Sequence, residues 1–490
     1  MNATAKLFIL VTLFSLSFVA EAKLIQIIHT NDLHSYFQGY TGKEDSGGYA
    51  RVMTKIKQLK TAAAGKNIEV IQLDAGDWGE GTSFFLADNG ADSLRALEML
   101  GVEVATIGNH DHLVGGKELA AQIRASGVKT KFTVANVIPT ADMEIGDTIT
   151  PYVDLDRGGI PIRVIGLTTD ENYFQYSFAP GKILSPSATA EEQGLKAKKE
   201  GRELVIALTH IGQTSDQSLV RNTSAIDVVI GGHSHTKITT VDYEKNKNGK
   251  NIPIVQAWAH GLGVGTLLLD VKENGNVSVV EYKLHEIDAT TIPDPAMTAL
   301  VEAASPRRNQ NLQFPYNEVL GETKTPMSGY VAGKPVLRSS CWGRHMATAA
   351  RQAVGSGVGI HISHFEGMSK PAGVVTYADL ANEFPHFRKY GDQGWEIATV
   401  TMSGWKLRIM MKVISSRGYG VTFSGLGYLD QGSVEDKALY RIAIPAEVAL
   451  AIKTSMPGYR NYLQGLKYTG KYYWPVMADY IRKHTPLSCN

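Results

Sequence analysis

The sequence predicts a layered α/β fold, with helices packed on β-sheets, in a chain long enough for two domains. Three observations support this prediction: a length of 490 residues, an ordinary composition, and a regular alternation of short apolar runs with amphipathic stretches. A chain of this length exceeds what one hydrophobic core usually organises. With 43% hydrophobic and 20% charged residues, it has the composition of an ordinary globular protein.

The alternation is clearest from residue 23 to about residue 271. Runs rich in β-branched residues predict strands at 24–29, 68–73, 104–107, 163–167, 204–207 and 226–230. Amphipathic or alanine-rich stretches predict helices at 49–63, 91–100, 116–126 and 188–200. Strands that alternate with helices are typical of sheets covered by helices on their faces. Such sheets bind ligands at the carboxyl ends of their strands.

Proline positions divide the rest of the chain. Five prolines in and around one predicted helix, 295–304, mark a connection between domains: Pro293, Pro295, Pro306, Pro315 and Pro326. We therefore expect a first domain at 23–290, a linker with a helix at 291–327, and a smaller second domain at 328–490. The oligomeric state is left open by the sequence.

The first 22 residues have the pattern of a leader for export. Lys6 precedes an apolar run, 7–20, which ends at the small-residue motif Ala20-Glu21-Ala22. This succession is typical of a cleaved signal peptide, and the run is short for a membrane span. We expect cleavage after Ala22 and a periplasmic or extracellular protein without a stable membrane anchor. An uncleaved anchor is the alternative.

Net charge and cysteine content set two further limits. The formal net charge of +1 gives no reason to expect nucleic acid as a partner. Cys341 and Cys489 are the two cysteines, and neither stands in a metal-ligand spacing, so a metal site must use His, Asp and Asn side chains. Export permits a disulfide between the two cysteines, and the sequence leaves open whether it forms.

Five polar motifs stand directly after predicted strands. They are HTNDLH (29–34), LDAGD (73–77), GNHD (108–111), LTH (208–210) and GGHSH (231–235). Each motif alone is more often a turn or a cap than a ligand. Together they bring imidazole, carboxylate and amide groups to the strand ends where such a fold builds its site, which predicts a metal centre. The donor types suit Zn, Mn or Fe without distinguishing among them.

In this order the motifs resemble those of the calcineurin-like metallophosphoesterases. The fuller forms HTNDLH, GGYAR (47–51), LDAGD, GT (81–82) and GGHSHT (231–236) resemble the secreted or periplasmic 5′-nucleotidase family. The resemblance spans the first domain, extends more faintly into the second, and implies a 5′-nucleotidase-type α/β second domain. It also implies an exported hydrolase that cleaves nucleotides or another small phosphate ester with two divalent metal ions.

The resemblance further implies a role for individual residues. Four side chains would hold one metal ion: Asp32, His34, Asp77 and His235. A second ion would share Asp77 with the first and would also be held by Asn109, His210 and His233. His110 would stabilise the transition state or protonate the leaving oxygen, and Asp111 beside it is a second catalytic candidate.

Two departures from the family pattern bear on the rate of catalysis and on which substrate is bound. In 5′-nucleotidases an Asp three residues after the catalytic His orients it, and Leu113 stands at that position here. The predicted second domain also lacks the N-x-G-G-I-R and G-G-D-G segments with which the family binds a nucleoside. Phe365, Phe384, Phe387 and the C-terminal tyrosines could stack on a base, although packing in a core is the commoner role of such rings.

These departures leave three functions open. The first is a phosphohydrolase acting on nucleotides or another small phosphate ester. The second is the same metal site acting on a cyclic, a non-nucleotide or a sulfur-containing ester. The third is a binding protein that kept the fold and has little turnover. A complete set of metal ligands favours the two enzymes over the binding protein.

Cleavage of the leader predicts that the mature protein begins at Lys23. N-terminal sequencing of protein recovered outside the cytoplasm should read Lys23-Leu24-Ile25. As a control, a bulky residue in place of Ala22 should leave the leader attached, because signal peptidase requires small residues there. A wild-type chain that starts at Met1 and remains in the membrane fraction would contradict the prediction.

Overall fold

A computed structural model describes residues 23–39, 46–171, 174–175, 177–272, 275–311, 315–327, 340–367, 369–387, 393–416, 420–425 and 434–489. The predicted leader, 1–22, lies outside the described residues. Among the residues that are described, no helix is both long and apolar enough to cross a membrane.

The described residues form 22 strands and 12 helices. The strands are β1 Lys23–Thr30, β2 Glu69–Asp74, β3 Val104–Thr106, β4 Lys131–Thr133, β5 Val137–Ile138, β6 Ile149–Thr150, β7 Tyr152–Arg157, β8 Ile160–Thr168, β9 Lys182–Ile183, β10 Leu204–His210, β11 Val228–Gly231, β12 Asp242–Lys245, β13 Asn251–Gln256, β14 Gly263–Val271, β15 Val277–Glu286, β16 Val319–Thr323, β17 Val358–Ile362, β18 Gly373–Thr376, β19 Glu396–Ser403, β20 Val421–Ser424, β21 Leu439–Pro445 and β22 Lys467–Tyr472. The helices are α1 Tyr49–Ala64, α2 Ser83–Asp88, α3 Ala91–Leu100, α4 Gly116–Ser126, α5 Pro186–Lys199, α6 Gln213–Arg221, α7 Pro295–Asn311, α8 Cys341–Ala353, α9 Tyr377–Glu383, α10 Gly404–Ser416, α11 Ala446–Ser455 and α12 Tyr473–His484. Every strand and helix predicted before residue 272 corresponds to one of these elements, so the prediction of alternating strands and helices is confirmed.

Two sheets face each other in the first half of the chain. Sheet I has the strand order β15-β14-β1-β2-β3-β4-β6, and sheet II has the order β12-β13-β11-β10-β8-β7. Side chains such as Ile27 and Ile71 from sheet I pack against Val164 and Ile206 from sheet II in one buried cluster. The space between the sheets is therefore an apolar core.

Helices cover the outer faces of both sheets. Helices α1, α3, α4 and α7 pack with sheet I in a second apolar cluster, and α5 and α6 pack with sheet II in a third. The order of layers is thus helix, sheet, sheet, helix. This arrangement confirms the predicted layered α/β fold, with the addition that two sheets rather than one lie between the helices.

Burial on both faces explains the continuous apolar sequence of the central strands. In β10, Leu204, Ile206 and Leu208 face sheet I, whereas Val205 and Ala207 face α5 and α6. A strand with one solvent-exposed face would alternate apolar and polar residues instead. The burial on both faces follows from the four-layer order.

Helix α7 is longer than the sequence predicts. The prediction ended the helix at residue 304, but it continues through Pro306 to Asn311. Contacts beyond the proline compensate for the backbone hydrogen bond that proline cannot donate: Arg307 pairs with Asp92 at 2.7 Å, and the Arg308 guanidinium lies 4.0 Å from the ring centre of Tyr316. Because α7 packs against α1, α2 and α3, it is part of the first half's core.

A second apolar core occupies the C-terminal part of the chain. Its five-stranded sheet has the order β20-β17-β21-β19-β22, and β16 pairs with β18 nearby. Helices α8 to α12 contribute to the same buried cluster, which includes Trp342 of α8 and Trp474 of α12. This arrangement confirms the predicted smaller α/β unit. The two cores touch where Ser83 donates to the hydroxyl of Tyr316 at 2.8 Å.

A disulfide joins Cys341, the first residue of α8, to Cys489 near the end of the chain. The two Cα atoms are 5.4 Å apart and the residues are separated by 148 positions in sequence. The sequence left this pairing open, and in the structure it holds the C-terminal segment against α8.

Removing the disulfide should destabilise the second core. Closing so long a loop restricts the unfolded chain, so a Cys341→Ala/Cys489→Ala variant should lose about 2–4 kcal/mol of unfolding free energy. Chemical denaturation followed by tryptophan fluorescence measures the loss. Mild reductant should lower the unfolding midpoint of the wild type and leave the variant unchanged. Free thiols in the native wild-type protein would contradict the pairing.

Candidate metal centre and active site

The five polar motifs lie at the carboxyl ends of neighbouring strands. Strands β1, β2 and β3 are adjacent and parallel in sheet I, and they precede Asp32, Asp77 and Asn109. Strands β10 and β11 are adjacent and parallel in sheet II, where β10 ends at His210 and β11 precedes His233. Because the two sheets face each other, the structure brings these polar side chains to one place.

The backbone turns sharply at these strand ends. Five of the seven predicted metal ligands have a positive φ, namely Asp32 at 50°, His34 at 48°, Asp77 at 54°, His233 at 77° and His235 at 52°. Residues other than glycine adopt this conformation at a cost of roughly 1–3 kcal/mol each, and such residues cluster at functional sites. A side chain at Gly108 would collide with the carboxylate of Asp77, so only glycine fits beside it.

One group of donor atoms forms around Asp32. The Nε2 atom of His235 lies 3.1 Å from Asp32 Oδ1 and 3.2 Å from Nε2 of His34. His34 Nε2 is in turn 3.6 Å from Asp77 Oδ2. The structure thus brings together all four side chains that the sequence assigned to a first metal ion.

A second group of donor atoms forms on the other side of Asp77. His210 Nε2 lies 2.9 Å from Asp77 Oδ2, and donor atoms of Asp77, His210 and His233 all lie within 4.8 Å of one another. Asn109 is buried beside them and lines the same cavity. Asp77 belongs to both groups of donors.

A buried polar atom without a hydrogen bond indicates that a cation fits this site. Among the described residues, Asn109 Oδ1 is buried and makes no hydrogen bond, and the buried Nε2 atom of His210 lies 2.9 Å from the carboxylate of Asp77. The other ring nitrogens are engaged: Nδ1 of His34 contacts the carbonyl of Glu80 at 2.5 Å, and Nδ1 of His210 contacts that of Ala75 at 2.6 Å. Donation to a carbonyl leaves the Nε2 lone pair free for a metal, which is the usual support for a histidine ligand.

The charges at the site also favour a bound cation. Burial opposes the ionisation of Asp77, but the imidazoles of His210 and His110 outweigh it and hold the pKa of Asp77 well below its usual range. Burial likewise disfavours the charged form of His210, yet Asp77 and Asp32 raise its pKa to about 10. None of the described residues that line the cavity is Lys or Arg. Imidazole and carboxylate groups therefore determine the electrostatics.

His110 lies at the edge of both donor groups. Its backbone N–H donates to Asp77 Oδ1 at 2.8 Å, and its ring meets that of His34 edge-on with centroids 4.9 Å apart. The Nδ1 atom lies 2.7 Å from a carboxylate oxygen of Glu80. Burial lowers the pKa of His110, but Asp77 and Glu80 raise it more, to about 9.

Asp111, the other catalytic candidate, does not contact the ring of His110 in the structure. Its carboxylate accepts the backbone N–H groups of Asp77 at 2.9 Å, Gly79 at 2.9 Å and Gly108 at 2.8 Å. The structure therefore places Asp111 behind the loops that carry Asp77 and His110, where it fixes their backbones. Leu113, which stands in place of the family's orienting Asp, lies on the cavity wall.

Two residues close to the donor groups were not identified from the sequence. His260 is grouped with His34 and His235 as a possible metal ligand, and its ring stacks on Tyr36 with centroids 4.1 Å apart. Glu80 is buried beside His110. Neither residue directly follows a strand in a recognisable motif, so the sequence contains no local signal for them.

The donor groups open into a cavity of about 560 Å³ between the two cores. Phe365, His386 and Trp395 form the wall from the second core. His386 stacks on Trp395 with centroids 4.9 Å apart, which covers one face of the indole. Of the rings that the sequence suggested for stacking, Phe365 lines the cavity, whereas Phe384 and Phe387 are packed in the protein interior.

Comparisons with known proteins agree with this site. The model of the calcineurin-like phosphoesterase family matches residues 25–237. The snake venom 5′-nucleotidase of Gloydius brevicauda is 30% identical over 290 residues, which cover 54% of this chain and 48% of that protein. The 5′-nucleotidase of Bos taurus is 29% identical over 284 residues, which cover 52% of this chain and 47% of that protein. The alignments thus span about half the length of these curated relatives.

A solved structure extends the likeness of fold to nearly the whole chain. The crystal structure of a 5′-nucleotidase precursor from Thermus thermophilus superposes with a TM-score of 0.80 at 21% identity, covering 94% of this chain and 96% of that chain. At this identity the superposition shows a shared fold. Together with the family match over the residues that carry the donor groups, it confirms the resemblance found in the sequence. The resemblance to the calcineurin-like phosphoesterases therefore holds over residues 25–237, and the curated proteins that are similar to this chain include 5′-nucleotidases.

Proposed function

We propose that this chain is an exported phosphohydrolase that cleaves small phosphate esters with two bound divalent metal ions. The position of Asp77 carries the proposal, because its carboxylate belongs to both groups of donor atoms. The residues that would hold the first ion are Asp32, His34, Asp77 and His235, and those that would hold the second are Asp77, Asn109, His210 and His233. The identity of the ions, Zn, Mn or Fe, is left open by this donor set.

The surrounding side chains supply the rest of the chemistry. Two divalent ions in such a donor set, when bound, lower the pKa of water and neutralise charge on a phosphoryl group. His110 has Nδ1 at Glu80 and its ring on the cavity wall, so Nε2 is the atom that would donate a proton to the departing oxygen. Asn109 and His233 line the same wall and bound the space for the phosphoryl group.

Nucleotides are the first substrate class to consider. Two curated proteins that are similar to this chain over about half of its length are named 5′-nucleotidases. Phe365 and His386 offer ring surfaces on the cavity wall opposite the donor groups, where a planar base could stack.

A second candidate is the same metal site acting on a non-nucleotide, cyclic or sulfur-containing ester. One observation favours it: the segment around Phe365 has no Arg, and no described residue that lines the cavity is Lys or Arg. A substrate with several phosphates would find no Lys or Arg side chain among these residues. A binding protein without turnover is disfavoured, because six of the seven predicted metal ligands lie in groups of neighbouring donor atoms and the seventh, Asn109, lines the same cavity.

Export is part of the proposal and rests on the first 22 residues. A charged start, an apolar run and the Ala20-Glu21-Ala22 motif support it. The disulfide between Cys341 and Cys489 is consistent with an oxidising compartment.

A substrate panel tests the proposed function directly. Mature protein supplied with Mn²⁺ or Zn²⁺ should release phosphate from 4-nitrophenyl phosphate and from at least one nucleoside monophosphate or sugar phosphate, or should open a cyclic nucleotide to a nucleoside monophosphate. A chelator should abolish the release, and added metal should restore it. An aryl sulfate in the same panel tests the sulfur alternative. The absence of hydrolysis of any ester in the panel, with either metal, would contradict the proposal.

Changing Asp77 to Asn should disturb both metal sites at once. The shared carboxylate loses its charge, so bound metal should fall from two ions per chain to fewer than one, and kcat should fall by on the order of a hundredfold or more. Elemental analysis and phosphate release measure the two effects.

Asp74→Asn is the matched control for Asp77→Asn. Asp74 is the buried last residue of β2, three positions before Asp77; it accepts the hydroxyl of Thr30 at 2.6 Å and does not line the cavity. Burial raises the pKa of Asp74 to about 7, so a neutral amide is a mild replacement. This variant should keep both metal ions. An Asp77→Asn protein with two ions and wild-type turnover would contradict the shared role of Asp77.

A further inference from the structure

Glu80 occupies a position that the family pattern does not explain. It lies between β2 and α2, and 2% of its surface is exposed. One carboxylate oxygen, Oε2, lies 2.7 Å from His110 Nδ1 and 3.6 Å from His386 Nδ1. The other, Oε1, accepts the backbone N–H of Phe387 at 3.4 Å. A single buried carboxylate thus contacts the catalytic candidate His110 and two residues of the second core.

The distance between Glu80 and His110 is that of a hydrogen bond. Glu80 Oε2 and His110 Nδ1 are 2.7 Å apart, at the short end of the range for a nitrogen–oxygen hydrogen bond. A carboxylate can only accept, so Nδ1 of His110 is the donor. The burial of both groups strengthens such a charge-assisted bond.

The position that usually supplies the carboxylate is apolar in this chain. Leu113 is on the cavity wall, and Asp111 is bound to three backbone N–H groups. Among the described residues, Glu80 is the carboxylate that hydrogen-bonds to the His110 ring.

We infer that Glu80 is the positioning residue for His110, and that the second core holds Glu80 in place through His386 and Phe387. The catalytic part of this inference, in which His110 donates a proton to the leaving oxygen, rests on the proposed function. With Nδ1 bound to Glu80, the ring of His110 is fixed with Nε2 toward the cavity, where a leaving oxygen would need a proton. The carboxylate that orients His110 therefore comes from the loop after β2 instead of from position 113.

The same loop also supports a predicted metal ligand. The backbone carbonyl of Glu80 contacts Nδ1 of His34 at 2.5 Å, while its side chain binds His110. Gly81 packs so closely on His34 that a side chain there would collide with it. One residue thus contacts two neighbouring imidazoles of the site, the first through its backbone carbonyl and the second through its carboxylate.

The second core contributes a rigid support for Glu80. His386 stacks on Trp395 and meets Phe365 and Phe384 edge-on, with ring centroids 5.7 Å and 5.2 Å away. Its ring is therefore held by aromatic neighbours. Because His386 and Phe387 reach Glu80 from the second core, contact between the two cores influences how firmly Glu80 holds His110.

Imidazole NMR tests the hydrogen bond without any need for turnover. In protein labelled with ¹⁵N-histidine, His110 should show a protected, strongly downfield Nδ1–H signal, assigned by its loss in His110→Ala. The signal should shift in Glu80→Gln and disappear in Glu80→Ala. Glu103→Gln is the matched control, because it breaks an ion pair with Arg157 on β7 and does not line the cavity. An unchanged His110 signal in Glu80→Ala would overturn the inference.

A double-mutant cycle tests whether this bond acts through His110. Glu80→Ala should lower kcat for an alkyl phosphate by roughly 10- to 100-fold with metal content unchanged, and lower it less for 4-nitrophenyl phosphate, whose leaving group needs little protonation. In a His110→Ala background the same change should cause no further loss. An equal loss with and without His110 would assign Glu80 a merely structural role and overturn the inference.

The two experiments separate this inference from the proposed function. A wild-type protein that hydrolyses no ester would contradict the function, and the NMR signal would still decide whether Glu80 positions His110. If Glu80→Ala does not fold, as its melting temperature would show, Glu80→Gln keeps the side-chain volume and carries both measurements. A Glu80→Gln protein with an unshifted signal and wild-type kcat for the alkyl phosphate would overturn the inference.

Discussion

Asp32 and Asp77 place two carboxylates, almost fully buried, where the two facing sheets meet. A carboxylate removed from water costs several kcal/mol unless charges or hydrogen-bond donors compensate for it. Among the described residues that line the cavity there is no Lys or Arg, so the compensation comes from imidazoles and from the backbone N–H groups of His110 and His233. The left-handed turns and the flanking glycines position the ligand residues, and the contacts of the Nδ1 atoms with backbone carbonyls orient the histidine rings. A site with this balance of charge is suited to divalent cations.

The loop from Glu80 to Ser83 links this charge balance to the second core. Glu80 contacts His34 and His110 on one side and Phe387 on the other, and Ser83 donates its backbone N–H to the side chain of Asn382 at 3.1 Å. The cavity wall that would face a leaving group comes from the second core as well. The position of the second core therefore bears both on which substrates fit and on how His110 is held.

The sequence predicts those parts of the molecule that depend on local pattern. Apolar runs locate the strands, and polar motifs at the strand ends locate the five segments that carry donor groups. The seven metal-ligand candidates within these segments are implied by the resemblance to the metallophosphoesterases. The facing of two sheets is not predictable in this way, because a buried run such as β10 has the same composition against a helix or against another sheet. Helix α7 was predicted too short because the contacts that carry it through Pro306 come from Asp92, which lies 215 positions before Arg307, and from Tyr316 beyond the end of the helix.

The roles of residues that act through tertiary contacts could not be predicted. Glu80 and His110 are 30 positions apart, and Phe387 lies 307 positions from Glu80. Cys341 and Cys489 are separated by 148 positions, so the pairing was left open. Trp395 and His386 both lie between α9 and β19, and they form the cavity wall only because the fold stacks their rings. In each case the sequence around the residue gives no indication of its role, because only the fold brings its partner to it.

Anomalous scattering from crystals of the mature protein grown with Mn²⁺ or Zn²⁺ tests the central claim most directly. Two peaks about 3.5–4 Å apart, the usual separation in a two-metal site, are expected. Both peaks should lie within bonding distance of Asp77, one beside His34 and His235 and the other beside Asn109 and His210. A single peak, or peaks outside this cavity under saturating metal, would contradict the account.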